Sequence, residues 1–297
     1  KTFEQKRTEA VITGSGDEER QAMAGKLAED MAKTIMHKWP DSSVHEPGKA
    51  AKWSYALGVF FQGMSHIYQR TREERYVKYM QHIMDLFVQP DGEIARYNLE
   101  SYNIDYVKNG STLLFLYQQT KQEKYKQAAT HLREQLKTHP RTSEGGFWHK
   151  KVYPHQMWLD GIYMGQPFYA KWSAMFNEPE NFDDIAKQFI LLNKHARDPQ
   201  TGLLYHGWDE SKEQRWANTE TGTSANFWGR AMGWYGMALV DVLDDFPKEH
   251  PQRKDLLKIL NDFADAITKV QSEKGLWYQV LDKQHQRGNY PEASASN

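Results

Sequence analysis

The segment YPHQMWLDGIYMGQPFYAKW (153–172) contains one acidic residue, Asp160, among aromatic residues, methionines and glycines. A carboxylate in these surroundings is either a structural group held by hydrogen bonds or a proton donor in an apolar cleft. If a helix begins near Gln156, Asp160 lies in its second turn, beyond the positions where carboxylates cap free amides. Because a helix N-terminus favours the charged carboxylate, proton donation requires desolvation by rings such as Trp158, or a second negative charge nearby.

Asp105 is placed to supply that second charge. It occurs in SYNIDYVKNG (101–110), at the start of another small-residue helix, where Asn103 or Ser101 can serve as the N-cap. Taken alone, Asp105 is better explained as a structural residue. Paired with Asp160 at an equivalent point of a neighbouring repeat, it gives the two-carboxylate pattern expected of acid–base chemistry on sugars. Both are therefore candidate catalytic residues, and a structural role for each stays open.

The segment YHGWDESKEQRWANTETGTSANFWGRAMGWYGMALV (205–240) is the densest in potential ligand-binding groups. His206 lies where a short extended piece gives way to a loop, beside Trp208. Arg230 and Trp234 are four residues apart, so both lie on one helix face and could hold a carboxylate beside a stacked sugar ring. The alternatives are a structural histidine and a core tryptophan with a solvated arginine. We expect the acidic residues of the intervening loop to face solvent: Asp209, Glu210 and Glu213.

Helical periodicity runs through most of the chain, and no convincing long strand or Pro/Ser-rich linker interrupts it. The pattern predicts one all-α domain over residues 1–297, with 1–17 as an extended N-terminal arm. The predicted helices cover nine segments: 18–39, about 50–70, 72–88, 103–119, 122–137, 156–176, 180–197, 225–246 and 251–271.

Two kinds of helix alternate in a repeat of about 55–70 residues. One kind is rich in small and aromatic residues, and the other is charged on one face. This alternation predicts an (α/α) toroid whose inner helices open onto one central cleft, with a linear solenoid as the alternative. A six-pair ring needs about three helices more, so we expect the toroid to be incomplete at the C-terminus. Glycines in four connections are predicted to cap the preceding helices in the left-handed region: 90–97, 143–150, 199–208 and 272–280.

Composition excludes several classes of function. With 38 basic and 39 acidic residues, the net charge of −1 argues against nucleic-acid and membrane partners. There is no cysteine and no metal-ligand spacing, so neither a metal nor another cofactor is expected. The 10 tryptophans and 16 tyrosines favour sugar binding. We expect a monomer or a weak homo-oligomer. The chain starts at Lys1 and not at Met, which favours a processed, exported protein over a cytoplasmic one, without deciding between them.

The motif MWLDGIYMGQPF, together with the segment from Tyr205 to Pro247, resembles glycoside hydrolase family 105. This family comprises bacterial unsaturated rhamnogalacturonyl hydrolases and relatives that act on other unsaturated glycuronides. The resemblance covers nearly the whole chain from about residue 50. It implies an (α/α)6 barrel, no metal, and an oligosaccharide substrate with a terminal 4,5-unsaturated uronate.

The resemblance also implies roles for individual residues. Asp160 in WLDG would protonate C4 of the unsaturated uronate and then activate the water that adds at C5, and Asp105 matches the second acidic position. His206, Arg230 and Trp234 match positions in the substrate pocket, which we expect Trp158 and Trp208 to line as well. Side-chain chemistry suggests Arg230 for the uronate carboxylate and Trp234 for stacking.

Two other classes of function stay open at this point. A conventional inverting glycosidase or a polysaccharide lyase on a similar toroid would act on saturated chains. A non-catalytic oligosaccharide-binding protein would bind without turnover. The fold alone cannot choose among these classes.

Overall fold

The computed structural model describes residues 15–41 and 52–292. All nine predicted helical segments are present within these ranges. The α-helices are α1 (Ser15–Lys38), α2 (Tyr55–Thr71), α3 (Glu74–Met84), α4 (Gly110–Thr120), α5 (Glu123–Thr138), α6 (Leu159–Phe176), α7 (Asn181–Ala196), α8 (Gly229–Asp245) and α9 (Arg253–Lys269). Two 3-10 helices (Leu99–Ser101 and Ile104–Asn109) and two short strands, β1 (Gln156–Trp158) and β2 (Gly207–Asp209), complete the regular structure of the described residues.

Inner and outer helices alternate along the chain, as the sequence predicts. The inner set is α2, α4, α6 and α8, and each packs against the outer helix that follows it. Successive inner elements also pack against one another, with the Ile104–Asn109 3-10 helix lying between α2 and α6. Helix α6 is buried along most of its length, whereas the outer helices expose one charged face. This is the helix-pair arrangement of an (α/α) toroid.

Small residues allow the inner elements to approach closely. A side chain at Gly110 would overlap the ring of Phe168. At Gly165, an added Cβ would lie 2.9 Å from Ile104 Cδ1. Each of these glycines lowers the helix propensity of its segment by about 1 kcal/mol, and closer packing of the inner layer offsets this cost.

The connecting glycines are left-handed, but they do not cap the helices. For example, α5 ends at Thr138, while Gly145 forms a turn closed by the bridge between Arg141 and Phe147. The prediction was therefore correct that these glycines are left-handed and wrong that they cap the preceding helices. Each turn sends the chain from an outer helix back toward the start of the next inner helix. The four φ values are 86° at Gly92, 97° at Gly145, 77° at Gly202 and 79° at Gly275.

The start of α6 differs from its predicted position. Residues 156–158 are not helical but form β1, which pairs antiparallel with β2 in the register Gln156↔Asp209. Helix α6 therefore begins at Leu159, and Asp160 lies in its first turn and not in its second.

The two ends of the chain are described only in part. The predicted arm over 1–17 lies mostly outside the described residues, and its last residues, from Ser15, begin α1. Helix α1 packs against α2, and its residues Met23, Leu27 and Met31 are exposed. Across the described part of the chain, every helix is too short or too polar to cross a membrane.

Candidate active site

Asp160 is positioned by the junction between β1 and α6. Trp158, the last residue of β1, has extended backbone angles and forms the N-cap of α6. The amide of Leu159 donates a 3.0 Å hydrogen bond to the carbonyl of His206, just before β2. The small sheet and this bond therefore place His206 beside the first turn of α6.

The side chains of Asp160 and His206 meet at this junction. Nε2 of His206 lies 3.0 Å from Oδ2 of Asp160, and the two side chains are 28% and 16% exposed, in that order. This contact is not a hydrogen bond, and neither atom has another partner among the described residues. Both atoms are buried, directly behind the face of His206 that lines a cavity.

Asp105 is held by three neighbours at the start of the Ile104–Asn109 3-10 helix. The Asn103 side chain caps this helix by accepting the amide of Asp105 at 3.1 Å, as anticipated for the N-cap. The carboxylate of Asp105 lies 3.3 Å from His149 Nε2 and 2.8 Å from Lys150 Nζ. Burial raises the pKa of Asp105, but its contacts with His149 and Lys150 outweigh this effect and hold the pKa below its ordinary value. Asp105 is therefore a charged residue near neutral pH.

His149 connects the two acidic residues. Its ring stacks on Trp158 at 4.4 Å and with 13° between the planes. It also lies against Gly161, where an added Cβ would be only 2.9 Å from His149 Nδ1. Asp105, His149, Trp158 and the first turn of α6 therefore form one continuous wall, so the structure brings both predicted acidic residues to the same region.

Arg230 and Trp234 lie on α8 but have different partners. The Arg230 guanidinium lies 4.3 Å from the ring centre of Trp228 and 3.4 Å from the Glu292 carboxylate. Trp234 instead stacks on Tyr163, with 5.0 Å between the ring centres and 16° between the planes. Both side chains are partly exposed, but the guanidinium already has an acidic partner.

Below Trp234, the inner layer contains a buried lysine. Lys108 Nζ lies 3.7 Å from the ring centre of Tyr163 and donates a hydrogen bond to Gln62, whose amide donates at 2.7 Å to Asp241. Burial lowers the pKa of Lys108 to about 7, although the charge of Asp241 opposes this change. A stack of Trp234, Tyr163 and Lys108 therefore supports this part of the cleft.

A cavity of about 800 Å³ opens beside the histidine of this junction. Trp158, His206 and Trp228 line it, so Trp158 is placed where a ligand could contact it. Trp208 is not, because its side chain points away from the cavity, is 4% exposed and stacks on His195 at 3.9 Å. The structure gives no support to a substrate-binding role for Trp208.

The expectation that the acidic loop faces solvent is wrong for Asp209. This residue is buried in β2, where its carboxylate accepts hydrogen bonds from the loop that follows. Glu210 is half-buried and bonds to Ser143, whereas Glu213 is exposed.

Sequence reasoning missed His149, Lys150 and Trp228. The repeat nevertheless carried a signal for His149, because each of two histidines stands four residues after a left-handed glycine (145 to 149 and 202 to 206). The equivalent position in the fourth turn (275 to 279) is Gln279, which also lines the cavity. Within the described residues, no group of three or more acidic or histidine side chains could hold a metal ion.

Comparison with known families identifies the group to which this architecture belongs. The sequence model of glycosyl hydrolase family 88 matches residues 27–297, which is most of the chain. The chain is a member of glycosyl hydrolase family 88. Its resemblance to family 105 is confirmed by a solved structure, a family 105 glycoside hydrolase of C. acetobutylicum ATCC 824. That protein is 46% identical, with a TM-score of 0.85, over 92% of this chain and 73% of its own.

A relative from Bacillus subtilis and a distant fold neighbour complete the comparison. The unsaturated rhamnogalacturonyl hydrolase YesR of Bacillus subtilis (strain 168) is 30% identical over 250 residues, which are 82% of this chain and 68% of YesR. The unsaturated glucuronyl hydrolase of Bacillus sp. GL1 is 15% identical, with a TM-score of 0.64, over 91% of this family 88 chain and 72% of its own. This last likeness concerns the fold alone. It confirms the predicted (α/α)6 barrel fold.

Proposed function

We propose that this family 88 protein removes a 4,5-unsaturated uronic acid from the non-reducing end of oligosaccharides released by polysaccharide lyases. One observation carries the assignment most directly. In a cleft walled by rings, Asp160 keeps a carboxylate oxygen without a hydrogen bond, 3.0 Å from His206. Membership of the family, and the 30% identity to the YesR hydrolase, support the same reaction class.

The proposed reaction begins at the alkene, which is part of a vinyl ether because C5 also bonds the ring oxygen. The carboxyl group of Asp160 gives its proton to C4, and the electron pair of the double bond forms the new C4–H bond. Positive charge then develops at C5 and the ring oxygen. Water adds to C5 and returns a proton to Asp160, which restores the acid.

The hydrated product is a hemiketal at C5, and its ring opens to a ketone. Opening leaves a hemiacetal at C1, which releases the remaining oligosaccharide as an alcohol. The net change is addition of one water molecule and loss of the glycosidic bond. The sugar therefore departs without direct protonation of the glycosidic oxygen by a second acid.

Asp105 is assigned an electrostatic role. Because its pKa is held low by His149 and Lys150, it carries a negative charge and is a poor proton donor near neutral pH. An anion on the wall shared with Asp160 stabilises positive charge that develops at C5 during protonation. His149 and Lys150 also compensate much of the negative charge of Asp105. Asp105 therefore favours the protonated form of Asp160 less than the sequence alone suggested.

His206, Trp158, Trp234 and Arg230 complete the proposed substrate pocket. His206 lies against the Asp160 carboxyl group and positions it, and Trp158 and Trp234 offer apolar surface to sugar rings. Arg230 is proposed to bind the uronate carboxylate from its position over Trp228, in competition with Glu292. A single (α/α) barrel domain over 1–297, with an oligosaccharide as its partner, is the organisation we propose.

Loss of ultraviolet absorbance tests this function directly, because hydration removes the conjugated chromophore of the substrate. A panel of lyase-digested polysaccharides, each beside its saturated acid-hydrolysed counterpart, should show bleaching and sugar release only for the unsaturated members. Release from saturated chains would indicate a conventional glycosidase. Binding without any release would indicate a sugar-binding protein.

A further inference from the structure

We propose that Arg215 and Trp216 form a subsite for the sugar that follows the unsaturated uronate, and that this sugar carries a carboxylate or sulfate group. The inference rests on the proposed function and adds a substrate class to it. A Trp216 ring would stack on the second sugar, and the Arg215 guanidinium would bind its anionic group.

The position of the cavity is the first argument. It borders His206 and Trp158, yet neither Asp160 nor Asp105, both within the described residues, lines it. Because Asp160 contacts His206 at 3.0 Å, we place the reacting sugar at the His206 end of the site, next to the acid. The cavity of about 800 Å³ is therefore the space available to the part of the oligosaccharide that does not react.

Trp216 lies over this cavity next to Trp158. A Cβ added at Gly207 would be 3.2 Å from Trp158 Cδ1 and 3.5 Å from Trp216 Cη2, so both indoles approach the same glycine. Trp216 is nevertheless 37% exposed. An exposed indole in a cavity wall that already contains Trp158 and Trp228 is suited to stacking on a pyranose ring.

Arg215 provides the charge. It is exposed at the cavity wall, and it makes no hydrogen bond or ion pair with the part of the chain that the structure describes. Two other basic side chains differ in this respect, because Arg230 contacts Glu292 and Lys150 contacts Asp105. A guanidinium without a partner, in a cavity where no described carboxylate forms part of the lining, favours an anionic ligand.

The loop that carries both residues is held at its two ends. The buried Asp209 carboxylate accepts hydrogen bonds from the amides of Ser211 and Gln214, each at 3.0 Å. Asn218 accepts the amides of Glu220 and Thr221 at 2.8 and 2.9 Å. Because these bonds fix the backbone on both sides, Arg215 and Trp216 are presented to the cavity with little ordering cost on binding.

A matched set of unsaturated disaccharides tests the inference. The second sugar is neutral in one, a uronate in another and a sulfate ester in the third, so the set also identifies the preferred anion. The wild type, Arg215→Gln, Arg215→Lys and Trp216→Ala are compared by kcat/KM from chromophore loss. Lys212→Gln, a basic residue of the same loop that does not line the cavity, is the matched control.

The wild type should prefer one acidic disaccharide over the neutral one. Arg215→Gln should lower kcat/KM for that substrate by about tenfold, with the neutral substrate within about twofold and partial recovery in Arg215→Lys. Trp216→Ala should lower kcat/KM for all three substrates, and Lys212→Gln should change it for none. An equal loss on acidic and neutral substrates, or no loss in Arg215→Gln, would overturn the assignment of Arg215 to the second sugar.

Calorimetric titration of the same disaccharides into Asp160→Asn separates this inference from the proposed function. If the wild type bleaches no substrate, the proposed function fails. The subsite is still tested, because the double variant Asp160→Asn, Arg215→Gln should bind the acidic disaccharide about tenfold more weakly than Asp160→Asn alone. Absence of binding by every member of the set overturns the subsite as well.

Discussion

Asp160 and His206 approach to 3.0 Å without forming a hydrogen bond, and both polar atoms are left without a partner among the described residues. This arrangement follows from the backbone, because the bond from Leu159 to the carbonyl of His206 ties the two segments together. A buried polar atom without a hydrogen bond costs free energy, and a substrate group that bonds to either atom after a small side-chain movement would recover it. The pair is therefore a candidate ligand contact, because hydrogen bonding does not explain its arrangement.

Replacement of Gly161 by alanine tests the link between the two acidic residues. The added Cβ would lie 2.9 Å from His149 Nδ1, so the imidazole must move away from Asp105 or from its stack on Trp158. We expect Gly161→Ala to lower the free energy of unfolding by about 1–3 kcal/mol and to reduce kcat. Urea unfolding and the chromophore assay measure the two effects.

Gly63→Ala is the matched control for that change. Gly63 lies within α2, and an added Cβ would meet no atom within 4 Å. We expect this variant to gain up to about 1 kcal/mol of stability from helix propensity, with unchanged activity. If Gly161→Ala behaves in the same way, His149 does not position Asp105 as described.

The buried Lys108 predicts a dependence of stability on pH. Its pKa is about 7 in the folded protein and 10.5 as an ordinary lysine, so between these values the unfolded chain binds more protons. The free energy of unfolding should therefore rise with pH from about 7, by up to about 1.4 kcal/mol per unit. Denaturant titrations at pH 7, 8 and 9 measure the slope.

Lys108→Met should remove most of this slope. The substitution keeps a long apolar side chain under Tyr163, and the Tyr163 hydroxyl still donates to Gln62 at 3.1 Å. An unchanged slope in the variant would show that another group is responsible. Measurements stay below pH 10, because the raised pKa values of buried and partly buried tyrosines lower stability above that range: Tyr79, Tyr97, Tyr125, Tyr163, Tyr169 and Tyr235.

The two tryptophans 234 and 208 should respond oppositely to substitution. Trp234→Leu removes the partly exposed ring stacked on Tyr163, and we expect it to raise KM for the unsaturated substrate about tenfold. Trp208→Phe loses area against His195, and we expect about 1 kcal/mol less stability with KM unchanged. A raised KM in Trp208→Phe would return that residue to the site.

The helices of this protein were predictable because hydrophobic periodicity is local. The start of α6 was not, because residues 156–158 pair with Gly207–Asp209, some fifty positions along the chain. The prediction therefore placed Asp160 one turn too deep. Long-range pairing of this kind leaves no trace within the segment itself.

The site was predictable where spacing along one element decides the outcome. Asp160 and Asp105 come together because both begin inner elements, and that placement follows from the repeat. Trp208 was grouped with His206 because the two are close in sequence. Successive residues of β2 face opposite sides, and since Gly207 lines the cavity, Trp208 faces away from it. The partner of Arg230, Glu292, lies 62 residues away and could not be inferred.

The central claim is that Asp160 delivers the proton to C4, and Asp160→Asn tests it most directly. The amide keeps the size of the side chain but cannot supply a proton. We predict that this variant keeps the denaturation midpoint and the disaccharide affinity of the wild type within a few-fold, while chromophore loss falls by about a thousandfold. A folded Asp160→Asn protein that bleaches the substrate within about tenfold of the wild-type rate would contradict the account.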